Sequence, residues 1–103
     1  MLVVVVNFSP IKEGREADFL EWFAWSNREL AAFKGFISRR LLKPVQDGTY
    51  AAVIEYESKE AFAAVQASPA HDEAGKRVAP LLTGPPSPQL YEVVAGQETK
   101  ISP

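Results

Sequence analysis

The chain opens on an apolar run, Leu2-Val3-Val4-Val5-Val6, which gives way to Asn7, Phe8 and Pro10. β-Branched residues at this density predict a strand over residues 2–8. The rhythm then changes. Phe19, Trp22, Phe23, Ser26, Leu30 and Phe33 recur at a 3.6-residue period, with Trp25 at the edge of the stripe, and predict a helix. The acidic residues of Glu13-Gly14-Arg15-Glu16 suit its first turn, and Gly35 suits its stop. Residues 36–42 and 50–56 predict a second and a third strand, joined as a hairpin through a turn whose strongest signal is Asp47-Gly48. Ser58 can cap a short helix over residues 59–66, and Ser68, with Pro69 at the first helical position, can cap another that runs to Leu81 or Leu82. Residues 83–88, with three prolines, read as a rigid loop, and residues 90–94 as a fourth strand. One domain over residues 1–95 then leaves a loose tail, 96–103.

The predicted order is β-α-β-β-α-β with the second helix broken in two. This is the ferredoxin-like arrangement, an α+β fold with an antiparallel sheet and helices on one face. Alternation along the first strand sets Leu2, Val4, Val6 and Phe8 on one side and Val3, Val5 and Asn7 on the other. Both sides are largely apolar, yet helices cover only one. The expectation is a homodimer packed through its sheet faces. Arg39 and Arg40 point to opposite faces, so at least one of them needs an edge position or a partner.

Composition narrows the function classes. A chain of 103 residues that is 47% hydrophobic is long enough for one real core. The net charge is −2 and Arg39-Arg40 is too small a basic cluster for a nucleic-acid footprint. The absence of cysteine removes disulfides, thiolate nucleophiles and cysteine-ligated metal centres, and fits a reducing compartment. The first apolar run is too short for a signal-peptide core and has no basic leader. Nothing approaches the roughly 20 apolar residues of a membrane helix. The expectation is a cytoplasmic protein without membrane contact. No glycine-rich phosphate loop is present, and His71 has no close neighbours at metal-ligand spacing, so no metal site is expected.

Three features carry candidate chemistry. Asn7 is a polar amide at the end of an apolar strand; it is either a strand-end residue bonded to a loop or a donor to a carbonyl or oxyanion. The stripe Phe19, Trp22, Phe23 and Trp25 is either core or the wall of a flat-ligand pocket between helix and sheet. His71, the sole histidine, is the third residue of the helix that Ser68 caps. It is either an exposed first-turn residue or, beside the positive end of the helix dipole that favours the neutral imidazole, a base.

Three longer stretches resemble the antibiotic biosynthesis monooxygenase domain family. "EYESKEAFAAVQASPAHDEA" is similar to the family's motif after the third strand, with aromatic-Glu-x-x-x-Ala-Phe and Ser-Pro-x-His elements. "GFISRRLLKPVQDGTYAAVIEY" resembles its Gly-Phe hairpin and "VAPLLTGPPSPQLYEVV" its last helix and strand, so the likeness spans residues 2–95. The resemblance implies a dimeric α+β barrel. Family members include oxygenases of polyketide quinones that use neither metal nor flavin, quinol oxygenases, heme-degrading enzymes and many proteins without an assigned role. Asn7 matches an Asn of the heme-degrading branch, but Tyr56 stands where that branch has Trp, and Ala74 stands where it has its heme-ligating His. The cofactor-free branch fits better. There a substrate deprotonated to a carbanion gives an electron to O₂, and the protein supplies a dry pocket, a hydrogen bond and a base. On that reading the ligand is a small planar phenol, quinol or anthrone. Asn7 is the donor, Trp22 and Trp25 are walls, and His71 or Tyr56 handles the proton. A non-catalytic small-molecule binder or assembly unit and a heme protein are the alternative readings.

Overall fold

β1 (Leu2–Asn7) is a central strand of the sheet, with apolar residues on both of its faces. The computed structural model describes residues 1–97, and residues 98–103 of the expected tail lie outside them. After β1 come α1 (Glu16–Leu30), β2 (Phe36–Leu42), β3 (Ala51–Tyr56), α2 (Lys59–Gln66) and α3 (Pro69–Val78). A 3₁₀ turn (Ala79–Leu81) and β4 (Ser87–Glu92) complete the order. The sheet runs β2-β3-β1-β4 and every neighbouring pair is antiparallel. This is the ferredoxin-like topology expected from the sequence. The core forms on one face of the sheet, where Leu2, Val4, Phe8, Ile54 and Tyr56 meet Phe19, Trp22, Phe23 and Leu30 of α1 and Val65, Ala74 and Val78 of α2 and α3.

The caps are those expected. Ser58 Oγ accepts from the Ala61 N–H, and Ser68 Oγ accepts from the His71 N–H at 3.2 Å, with Pro69 opening α3. Several boundaries differ from expectation. α1 begins at Glu16, because Gly14 takes a positive φ of 76° just before it, and ends at Leu30 rather than at Gly35. β3 begins at Ala51, after the buried Tyr50. β4 begins at Ser87 and ends at Glu92, so it includes Pro88, which the sequence reading placed in a loop. The order of strands explains this. β4 is an edge strand, and a proline is tolerated where the missing N–H would face no partner.

β2 carries one irregularity with consequences. Phe36 pairs with Tyr56 but Ser38 pairs with Glu55, so Ile37 is an extra residue between them. The bulge switches the alternation. Phe36, Arg39 and Leu41 share the helix-covered face, while Ser38, Arg40 and Leu42 share the open one. The open face keeps Val3, Val5 and Val53 partly exposed, with Leu42 48% and Tyr91 50% exposed. No helix among the described residues is long and apolar enough to cross a membrane.

Gly35 closes the end of this hairpin against α2. Its φ is 87°, and a Cβ built there would lie 2.5 Å from the Ala61 Cβ. Gly35→Ala therefore meets both a left-handed backbone and an overlap with an immobile methyl. It is expected to cost about 2–4 kcal/mol, measured by urea unfolding. In an Ala61→Gly background the overlap part of that cost, and only that part, disappears.

Candidate active site

The helices do not press evenly on the sheet. Between the sheet and α2/α3 lies a cavity of about 200 Å³. Its floor is built from the helix-covered rows of the sheet. One row runs Arg39, Ile54, Val4, Leu90 across all four strands, and a second runs Ala52, Val6, Pro88. Tyr56 closes one end. Its roof is one face of α3, where His71, Ala74, Gly75 and Val78 follow helical spacing, with Phe62 and Gln66 of α2 beside it. Two small residues in the middle of that face leave the space open. A Cβ added at Gly75 would meet nothing within 4 Å.

Trp22 holds the roof in place. Its indole N–H donates to the Ala74 carbonyl at 2.9 Å, tying α1 to α3. The same ring lines the cavity and meets Phe8 edge-on at 5.9 Å. Of the four aromatics proposed as a wall, Trp22 alone reaches this cavity. Phe19 is fully buried among Phe8, Trp22 and Tyr50, as core. Phe23 is buried behind Arg39. Trp25 lies outside, stacked under the Arg77 guanidinium at 4.1 Å beside a shallow polar depression. The helical period is the reason. Trp22 and Trp25 are three positions apart, but the stripe turns away from the sheet at Trp25.

Tyr56 and His71 both line the cavity, from opposite sides. Tyr56 is buried, with its ring against Phe36 and Phe62. Burial raises the pKa of its phenol and the nearby Arg39 charge partly offsets the rise, so at neutral pH the hydroxyl keeps its proton and is available as a donor. His71 is solvent-exposed at the rim, on the first turn of α3. Asn7 is elsewhere. It is exposed on the open face, between Ala51 and Ser87, with the sheet between it and the cavity. Alternation sets it with Val3 and Val5, and that parity keeps Asn7 and His71 from sharing one site.

Arg39, not among the sequence candidates, is the charged residue of the cavity. Its Nη1 donates to Ser26 Oγ at 2.7 Å and Asn27 Oδ1 at 2.8 Å, and its guanidinium lies over the Phe23 ring at 4.1 Å. Its Nε is buried without a hydrogen-bond partner. Burial lowers its pKa to about 10, and it remains a cation at neutral pH. Alternation sets Arg39 and Arg40 on opposite faces, with at least one needing an edge position or a partner; the bulge at Ile37 determines which of them turns inward. Arg40 goes outward, 3.8 Å from Glu55.

No three His, Cys, Asp or Glu side chains gather as metal ligands among the described residues. Heme would need an axial ligand from the roof. One turn beyond His71 stands Ala74, buried and tied by its carbonyl to Trp22, which leaves the exposed His71 as the one imidazole of this wall that an iron could take.

Against known proteins, the sequence profile of the antibiotic biosynthesis monooxygenase family matches residues 1–77. The chain belongs to that family. Among solved structures it is similar to Rv0793 from Mycobacterium tuberculosis, with a TM-score of 0.82 and 18% identity over 94% of this chain and 98% of that one. It is also similar to SnoaB, a cofactor-independent oxygenase from Streptomyces nogalater, with a TM-score of 0.78 and 23% identity over 92% and 95% of the two chains. A protein of unknown function from Nitrosomonas europaea, NE2512, matches with a TM-score of 0.78 and 20% identity over 96% and 94%. No curated protein matches. At these identities the solved structures establish a shared fold.

The open space at Gly75 yields a direct check. Gly75→Ala removes helix-interior glycine entropy without a clash and is expected to stabilise the protein by about 0.5–1 kcal/mol in thermal unfolding. Gly75→Leu, which projects into the same space, is expected to abolish ligand binding while the protein stays folded.

Proposed function

We propose that this protein is a cofactor-independent monooxygenase acting on a small planar phenol, quinol or anthrone. The observation that carries the reading is the apolar cavity with a protonated phenol, Tyr56, at its inner end and an imidazole, His71, at its rim. SnoaB, an oxygenase of the same fold that is described as cofactor-independent, supports it.

The chemistry needs no outside reductant. Oxidation of a substrate CH₂ or para C–H to a carbonyl by one O₂ releases one water, and all four electrons come from the substrate. The substrate loses a proton to form an electron-rich anion. That anion gives one electron to O₂, and the resulting radical pair combines into a carbon–oxygen bond. Loss of water from the hydroperoxide then leaves the carbonyl. The protein has three tasks in this sequence. The apolar walls exclude water around the anion. Tyr56 donates a hydrogen bond to the substrate oxygen on which charge develops. His71, open to solvent at the rim, carries the proton away.

With anthrone as substrate and O₂ uptake as the readout, Tyr56→Phe and His71→Ala are each expected to lower kcat by about 10²-fold. Asn7→Ala, on the far side of the sheet, is expected to leave it unchanged. Turnover untouched in both Tyr56→Phe and His71→Ala would sink the reading. A saturable hemin Soret shift that is lost in His71→Ala would favour a heme protein instead. Binding of flat aromatics without O₂ uptake would leave the cavity as that of a non-catalytic binder.

The same reading includes a homodimer in which a second copy covers the open face. Val3, Val5 and Val53 line that face, with Leu42 and Tyr91 half exposed beside them. Val5→Lys places a charge at its centre and is expected to give a monomer in sedimentation equilibrium where the unaltered protein gives a dimer.

A further inference from the structure

Arg39 is expensive where it stands. Its neighbours across the sheet, Ile54, Val4 and Leu90, are all apolar. None of the ion pairs among the described residues includes it. The carboxylate on the adjacent residue of β3, Glu55, faces the other side of the sheet, where it bonds Ser38 and pairs with Arg40. The acceptors that Arg39 does have, Ser26 Oγ, Asn27 Oδ1 and the Phe23 carbonyl, are neutral. They fix the guanidinium without cancelling its charge. Phe23 at 4.1 Å and Trp22 at 5.6 Å hold its plane from the α1 side. All three of these bonds come from Nη1, and of the other donors Nε is buried and unmatched. A methionine would fill similar volume without the desolvation cost, so packing alone gives no reason for an arginine here.

We propose that the cavity takes its flat aromatic ligand as an oxyanion, and that the Arg39 guanidinium is the group that selects the anion. This rests on the cavity being the ligand site, as in the proposed function, and adds the ionisation state and substrate class. Arg39 and Tyr56 are close enough to influence each other electrostatically, and both line the same wall, so an oxyanion there meets a fixed cation and a phenol donor together. The anion is a phenolate or enolate, or a carboxylate on the same kind of ring. For an oxygenase without cofactor the consequence is direct. A substrate that gives up its proton through His71 is then held beside Arg39 in the electron-rich form that reacts with O₂, and Arg39 supplies specificity for that anion.

The test compares 2-naphthoate with its neutral isostere 2-naphthamide by quenching of tryptophan fluorescence, in the unaltered protein and in Arg39→Met and Arg39→Lys. A second arm adds the protein to 4-nitrophenol buffered near its pKa and records the phenolate absorbance. The expected result is naphthoate binding at least tenfold tighter than naphthamide. That preference should fall to about onefold in Arg39→Met and return in part in Arg39→Lys. The nitrophenol should shift toward the phenolate only with Arg39 present. Thermal unfolding of Arg39→Met should be at or above that of the unaltered protein, the mark of a charge kept for a ligand. Naphthoate preference without a phenolate shift would identify a carboxylate as the anion. Equal binding of acid and amide by the unaltered protein would overturn the proposal while leaving the cavity as a ligand site. Binding of neither would remove the cavity reading and the proposal with it. Inorganic phosphate that displaces naphthoate without loss of its own affinity in Arg39→Met would also count against Arg39.

Discussion

The cavity exists because one indole sets the height of its roof. Trp22 donates to the Ala74 carbonyl from across the molecule, and α3 cannot settle onto the sheet while that bond holds. Ordinary packing would close the gap, since a protein interior leaves few voids. Here a rigid ring acts as a strut, and the α3 positions facing the sheet, Ala74 and Gly75, are too small to fill what it leaves. The break in the second helix serves the same end. Ser68 stops α2 and starts α3, with its hydroxyl taking the His71 N–H and giving its own proton to the Val65 carbonyl. That cap determines which face of α3 looks down and brings His71 to the rim.

Two further residues break local rules at this site. Gly75 sits inside a helix where alanine would be more stable, and Arg39 brings an unpaired charge among apolar neighbours. Tyr56 adds a buried hydroxyl whose ionisation is suppressed. Each departure would be a defect in a chain selected only to fold. All three line one cavity, which is where a protein retains such costs for function.

Much of the fold was legible because its signals are local. The strand and helix periods, the two serine caps, the proline at the start of α3 and the Asp-Gly turn each act within a few residues, and the element order followed from them. The hairpin and Ser-Pro-x-His motifs carried the family, now matched over residues 1–77. The candidate site was only partly legible. Tyr56, His71 and Trp22 come together at the cavity, whereas Asn7 and Trp25 do not. Asn7 was excluded by its own parity, which the alternation of β1 already contained. Phe19 and Phe23 could not be separated from Trp22 by period alone, because core and pocket wall lie on the same helical face.

The missed residue shows why the rest was hidden. In strict alternation, Phe36 would share a face with Ser38 and Arg40, and burial of Phe36 would draw Arg40 inward beside it. The extra residue at Ile37 reverses this, so Phe36 and Arg39 face the core together. A bulge arises from pairing between β2 and β3 and leaves no composition signal of its own. A one-residue change of register moves every later side chain to the other face of the sheet. One cation then sits against Ser26 and Phe23 inside the cavity and the other against Glu55 outside. The electrostatics of the site therefore depend on a single long-range register, and a residue doublet read along the chain can show only that at least one arginine needs an edge position or a partner, not which of them turns inward.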